Sequence, residues 1–200
     1  MSQKVSSAKV AVVIPCYRET SRILDVIKEI GEEVTKIIVV DDACPDKTGE
    51  YVKTHCTDPR IEVLIQEKNT GVGGATMNGY KRAIEENAEI IVKVDGDGQM
   101  DPSLIPELIA PLLKGEADYV KGNRFYNLDG LSEMPRVRIF GNLALSFASK
   151  VSSGYWNVFD PTNGFTALHI DAASKLPFDK IDNGFFFESD MLFRLNMLRA

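Results

Sequence analysis

The sequence predicts an α/β domain with a mostly parallel central sheet and helices on both faces. Three observations carry that prediction. Short β-branched apolar runs alternate with segments of helical periodicity along the first 121 positions. The runs are predominantly apolar, as strands buried on both faces are. Residues able to do chemistry fall just after the runs, and open parallel sheets bind ligands outside the carboxyl ends of their strands.

In chain order, Val10 to Ile14 is the first strand and ends at Pro15. Ile23 to Ile30 carries apolar residues at helical spacing, with Ser21 as the expected N-cap and Gly31 as the stop. Ile37 to Val40 is the next strand, followed by the turn Asp41 to Asp46. A short helix over Thr48 to Thr54 leads to the strand Ile61 to Ile65. Gly-rich Thr70 to Gly74 opens a helix to about Asn87, and Ile90 to Val94 is strand. Asp101 reads as an N-cap with Pro102 at the first helical position, and its helix runs to about Leu113. Tyr119 to Lys121 is strand again. Phe125 to Met134 is a polar loop, Ile139 to Val151 a mildly amphipathic helix, and Phe165 to Ile170 a strand. Phe185 to Leu198 is expected as a helix still in progress at Ala200, so residues 1–200 are read as a single catalytic domain cut short at its C-terminus.

Composition narrows the function classes. The chain has 200 residues, 44% of them hydrophobic, enough for one sizeable core. No window approaches the roughly 20 apolar residues of a membrane span, and the first residues do not resemble a signal peptide. Cys16, Cys44 and Cys56 have spacings that suit neither a disulfide framework nor a zinc site, so a reducing, cytoplasmic setting is expected. A formal net charge of -6 argues against nucleic acid as a partner. Anionic substrates would need local cations, for which Lys121, Arg124, Arg136 and Arg138 are the candidates.

The most informative run is Ile90-Ile91-Val92-Lys93-Val94-Asp95-Gly96-Asp97-Gly98-Gln99. Residues i and i+2 of an extended chain point the same way, so Asp95 and Asp97 are expected to aim at one point. Two hard oxygen donors there suit Mg²⁺ or Mn²⁺ with positions left for phosphates. An EF-hand is excluded, because Met100 and Pro106 stand where that loop needs Gly and Glu. A plain strand-to-helix turn remains the bland alternative.

Taken with other segments, this run resembles family-two glycosyltransferases. The segments, in the family's order, are Pro15-Cys16-Tyr17-Arg18-Glu19, Val39-Val40-Asp41-Asp42, Asn69-Thr70-Gly71, Asp95-Gly96-Asp97, Gly122-Asn123-Arg124 and Asp160-Pro161-Thr162-Asn163-Gly164-Phe165. Within that family the chain is most similar to the dolichyl- or polyprenyl-phosphate mannose and glucose synthases. The resemblance implies a GT-A (nucleotide-diphospho-sugar transferase) fold and inverting sugar transfer from a GDP-mannose or UDP-glucose type of donor. By position it implies Pro15, Tyr17, Glu19, Asp42 and Gly71 around the donor, with Asp95 and Asp97 on its diphosphate through a metal and Gln99 a further ligand. Arg124 matches an arginine near the phosphates, and Arg136 and Arg138 could complete a clamp for a lipid phosphate. Asp160 and Asp190 fall where the family contacts the acceptor or places a base. A polyprenyl phosphate acceptor would bring the protein to the cytoplasmic face of a membrane and would need no strong base. A hydroxyl acceptor would need a carboxylate, and of Glu188 and Asp190 the sequence reading prefers Asp190.

The Gln-x-x-Arg-Trp motif of processive polysaccharide synthases is missing; the only tryptophan is Trp156. His55 and His169 read as structural. A nucleotidyltransferase would show a Gly-rich loop with Arg straight after the first strand, where Pro15-Cys16-Tyr17-Arg18-Glu19 stands, and a haloacid-dehalogenase phosphatase an Asp pair at that strand, where Val13-Ile14-Pro15-Cys16 has none. Gly71 to Thr76 lacks the third glycine of a dinucleotide fingerprint and follows the wrong strand. A non-catalytic nucleotide- or partner-binding domain of the same fold is the remaining rival.

Overall fold

A computed structural model describes residues 8–123 and 163–199. Six described strands form one sheet in the order β3-β2-β1-β4-β6-β5. These are β1 (Val10–Cys16), β2 (Lys36–Asp41), β3 (Ile61–Ile65), β4 (Ile90–Lys93), β5 (Tyr119–Lys121) and β6 (Thr166–His169). β1 to β4 are mutually parallel, and β6 runs antiparallel between β4 and β5. The helices are α1 (Ile23–Glu29), α2 (Thr48–His55), α3 (Gly71–Glu85), α4 (Ile105–Leu113), α5 (Ile170–Ala173) and α6 (Phe187–Leu198).

Strand alternation builds two cores. Val10, Val12 and Ile14 face α1, α2 and α4, where Ile23, Val52 and Ile105 are fully buried. Ala11 and Val13 face α3, α5 and α6, against Tyr80, Ala173 and Leu195. The sheet is thus covered on both faces, as the apolar strands predict.

The chain first builds outward from β1 to β3 and then returns to β4 on the other side of β1. That reversal opens a crevice beyond the carboxyl ends of β1 and β4. β1 outruns its expected end, passing through Pro15 to Cys16. The Val94 N–H donates to the Val13 carbonyl, and the β1–β4 ladder stops at Val13. Pro15, two residues on, faces the same side, where no partner remains, so its missing N–H leaves no bond unmade.

Some boundaries differ from expectation. Ser21 does not cap α1; Arg22 holds the N-cap position, and the Glu19 carbonyl accepts from the N–H groups of Arg22 and Ile23. β4 ends at Lys93, so Gly96 and Asp97 lie in a turn and not in an extended strand. Asp101 does cap, accepting from the Ser103 N–H at 3.0 Å. α6 closes at Leu198 with Arg199 in the left-handed conformation (φ 58°). His169 caps α5, its Nδ1 accepting from the Asp171 N–H. The loop expected over Phe125 to Met134 and the helix over Ile139 to Val151 lie outside the described residues. Among the described residues, no helix is long and apolar enough to cross a membrane.

Candidate active site

The segment after β1 forms one wall of the crevice. Arg18 adopts a positive φ of 66°, and its N–H donates to Cys44 Sγ at 3.0 Å. The Glu19 N–H donates to Thr48 Oγ1 at 3.2 Å. Both contacts tie residues 17–19 to the turn between β2 and α2. Burial would raise the Cys44 thiol, but donors from Thr48, Arg18 and Asp46 outweigh it and hold the thiol below its usual value. Tyr17 is 44% exposed and lines the crevice with Pro15 and Glu19.

Asp41 and Asp42 divide their work. Asp41 accepts from the N–H groups of Cys44 at 2.7 Å and Gly49 at 2.6 Å, which fixes the turn into α2. Asp42 lines the crevice, yet its carboxylate is already held. Oδ1 accepts from Gln66 Nε2 at 2.9 Å and from the Thr70 N–H and Oγ1 at 2.7 and 3.0 Å; Oδ2 accepts from the Gly71 N–H at 2.8 Å. The Asn183 carbonyl takes the Gly74 N–H at 3.0 Å. Asp42 and Asn183 therefore occupy donors that a helix N-terminus could offer to a phosphate. The glycine-rich run serves a backbone crossing: a Cβ at Gly73 would lie 2.6 Å from the Asp182 carbonyl and from Phe187 Cβ. Gly71, at φ +82°, would meet Asn183 the same way.

Asp95 and Asp97 line two adjoining hollows of about 640 and 570 Å³. The first runs toward Pro15, Tyr17, Glu19 and Asp42; the second toward Gln99, Asn123 and Phe165. Asp97 Oδ1 accepts from the Gln99 N–H at 2.9 Å, and that bond shapes the turn. Asp97 is thus placed by a side-chain-closed turn instead of by the strand alternation expected for the pair. Burial, and next the charges of Asp97 and Asp95, raise the Glu19 carboxyl above its ordinary value.

One side chain at this site, Lys93, was not foreseen from the sequence, and another, Glu188, was passed over in favour of Asp190. Lys93, 1% exposed, places Nζ 2.6 Å from Asp95 Oδ1 and 3.5 Å from Glu188 Oε1. Glu188 lines the crevice, and burial lifts its carboxyl above the usual range against the pull of Lys121 and Lys93. Asp190, the preferred base, is turned away from the crevice lining. It accepts from the Asp182 N–H at 3.0 Å and from Arg194 Nε at 3.0 Å. The signal for Lys93 was its spacing: a lone charge in an apolar strand, two residues before Asp95. Nothing local distinguished Glu188 from Asp190. Asp160, Arg124, Arg136 and Arg138 lie outside the described residues.

The residues present suit a divalent cation. Asp95, Asp97 and Glu19 crowd negative charge at the crevice floor, with Lys93 as the counter-charge to Asp95. Among the described residues no three His, Cys, Asp or Glu side chains are grouped to hold an ion. Two carboxylates would then supply part of the shell and phosphates and water the rest, the usual Mg²⁺ arrangement. Gln99 gives its main-chain N–H to Asp97 and lines the second hollow.

A doubly wound sheet with an acidic pair at its switch point matches the GT-A fold expected from the sequence. The family model described as Glycosyl transferase family 2 matches residues 11–176. The chain belongs to that family. It is 33% identical over 178 residues to a UDP-N-acetylglucosamine–dolichyl-phosphate N-acetylglucosaminyltransferase of Methanococcus voltae, covering 82% of this chain and 70% of the relative. It is 30% identical over 190 residues to an undecaprenyl-phosphate mannosyltransferase of Micrococcus luteus, covering 93% and 77%. Glucosyl-3-phosphoglycerate synthase of Mycobacterium tuberculosis shares the fold. Its complex with phosphoglyceric acid superposes with a TM-score of 0.69 at 22% identity, over 92% of this chain and 64% of that one. Its complex with Mn²⁺, UDP and glucosyl-3-phosphoglycerate gives 0.65 at 23% identity.

Proposed function

We propose that residues 1–200 act as one catalytic domain that transfers a sugar from a nucleotide-diphosphate sugar to a polyprenyl phosphate, inverting the anomeric carbon and using Mg²⁺ or Mn²⁺. The position of Asp95 and Asp97 carries this reading: they stand between two hollows at the switch point, one wall of which follows β1. Two of the relatives at 30% identity or more are named as lipid-phosphate sugar transferases, and they support the acceptor class.

The chemistry assigns each wall a task. Pro15, Tyr17 and Glu19 border the space for the nucleoside, and Asp42 keeps the loop at Thr70 and Gly71 in shape beside it. Asp95 and Asp97 would hold the ion, which when bound supplies neutralisation of the charge that develops on the leaving diphosphate. The acceptor oxygen must meet the anomeric carbon in line with the departing phosphate. A phosphate oxygen arrives already anionic, so this chain need only hold it, and the arginines at 124, 136 and 138 remain the candidates. Such an acceptor would bring the domain to the cytoplasmic face of a membrane. The test is incubation with polyprenyl phosphate and, separately, GDP-mannose, UDP-glucose and UDP-N-acetylglucosamine. A lipid-linked sugar from one donor, absent with Asp97→Ala, is the expected result; no product from any donor would refute it.

One observation favours a second reading, a glycan hydroxyl as acceptor. Glu188 lines the crevice with a carboxyl raised by burial, as a general base requires. Glu188→Gln separates the two, since it would stop transfer to a hydroxyl and leave most transfer to a phosphate.

A further inference from the structure

Lys93 is a cation that the core does not need. It ends β4 and faces the α3–α6 side of the sheet, in register with Thr166 on β6 and Val13 on β1. Burying an ammonium is costly, and an apolar side chain of the same length would fill the space without that cost. What the ammonium does instead is join three segments. It meets Asp95 at 2.6 Å, Glu188 on α6 at 3.5 Å and the Gly164 carbonyl at 3.4 Å, and it lies 5.5 Å from the centroid of the Phe187 ring. Gly164 leaves room for it, since a Cβ there would collide with Nζ. One of the two carboxylates facing the cation site is thus already paired inside the protein.

That pairing has a consequence for an incoming ion. A divalent cation attracted by Asp95 and Asp97 is repelled by an ammonium in direct contact with Asp95. At such separations in a half-buried crevice, one unit charge changes affinity by a power of ten or more. A donor diphosphate brings negative charge of its own and offsets the repulsion. We infer that Lys93 is a positioning residue that keeps the crevice's affinity for a bare divalent cation low, so that the ion is retained together with the donor's diphosphate. The inference rests on the metal-dependent reading above and adds an order of binding to it.

The test titrates Mn²⁺ alone into the wild type and into Lys93→Met, Lys93→Gln and Lys93→Arg, following free Mn²⁺ by electron paramagnetic resonance. Thermal melts check folding, and UDP and GDP titrations at saturating Mn²⁺ run in parallel. Lys93→Met should bind Mn²⁺ alone at least tenfold more tightly than the wild type. Lys93→Gln should move the same way, and it keeps a hydrogen-bond donor to Asp95 if the methionine variant fails to fold. Lys93→Arg should stay near the wild type. A disturbed site would bind more weakly, so unchanged or weaker Mn²⁺ binding in a folded neutral variant overturns the inference alone. A wild type that binds neither diphosphate with Mn²⁺ overturns the metal reading and the inference with it.

Discussion

The Asp42 carboxylate accepts from Gln66, Thr70 and Gly71 while only 3% exposed, so its removal strands several donors at once. Asp42→Ala should lower stability by about 3 kcal/mol, since each hydrogen bond to a charged group contributes about 1.5–3 kcal/mol; a denaturant melt measures it. Among the described residues, Asp97 accepts one hydrogen bond, from the Gln99 N–H of its own turn. Asp97→Ala should leave the melting temperature nearly unchanged while metal-dependent nucleotide binding is lost. Asp190 and Glu188 should part the same way. Asp190→Asn weakens the tie to Arg194 and the Asp182 N–H and should register in stability, with turnover kept within a few-fold. The identity of these residues was legible in the sequence, but their duties were not. Whether a carboxylate faces a crevice or an arginine depends on partners up to 95 positions away, as between Lys93 and Glu188.

At the level of elements, the start of α6 is docked on the start of α3. Gly73→Ala would drive a methyl group into the Asp182 carbonyl and Phe187 Cβ, both 2.6 Å away. Overpacking of this kind costs about 1–3 kcal/mol. Because Phe187 and Glu188 line the crevice, the variant should lose turnover beyond its loss of stability, which assays well below its melting temperature would reveal. The strands were legible because short runs rich in β-branched and apolar residues have few other readings: β3 and β5, though only half-buried, match their expected bounds, and β4 is one residue shorter than expected. Helix starts were less so. Ser21 has the right chemistry for a cap, yet a main-chain carbonyl does that work, and the donors of α3 are met by Asp42 and Asn183, both distant in sequence. The glycines at the start of α3 serve a backbone crossing, which calls for a missing Cβ as much as a bound phosphate would.

For the molecule as a whole, acid stability follows from the far end of the sheet. The side-chain hydrogen bonds from Arg60 hold Asp58 below the ordinary carboxylate value. Burial pushes Glu62 up, but Arg82 and Lys36 outweigh it and bring it below its ordinary value. The unfolded chain then binds more protons than the native one just below the ordinary carboxylate range, so stability rises with pH there. The contribution is present above about pH 5 and is lost as pH falls through the lowered native values. Arg60→Ala should flatten that acid limb in thermal melts across it, because Asp58 loses its partner.

The doubly wound topology brings Pro15, Tyr17, Glu19, Asp42, Asp95 and Asp97 to one crevice, and calorimetric titration of UDP, GDP, CDP and dTDP with and without Mn²⁺ tests the proposed donor site there most directly. Selective binding of one diphosphate, dependent on Mn²⁺ and lost in Asp97→Ala, is the expected result. Binding of none, or binding indifferent to both the ion and Asp97, would contradict a metal-dependent nucleotide-sugar site between β1 and β4.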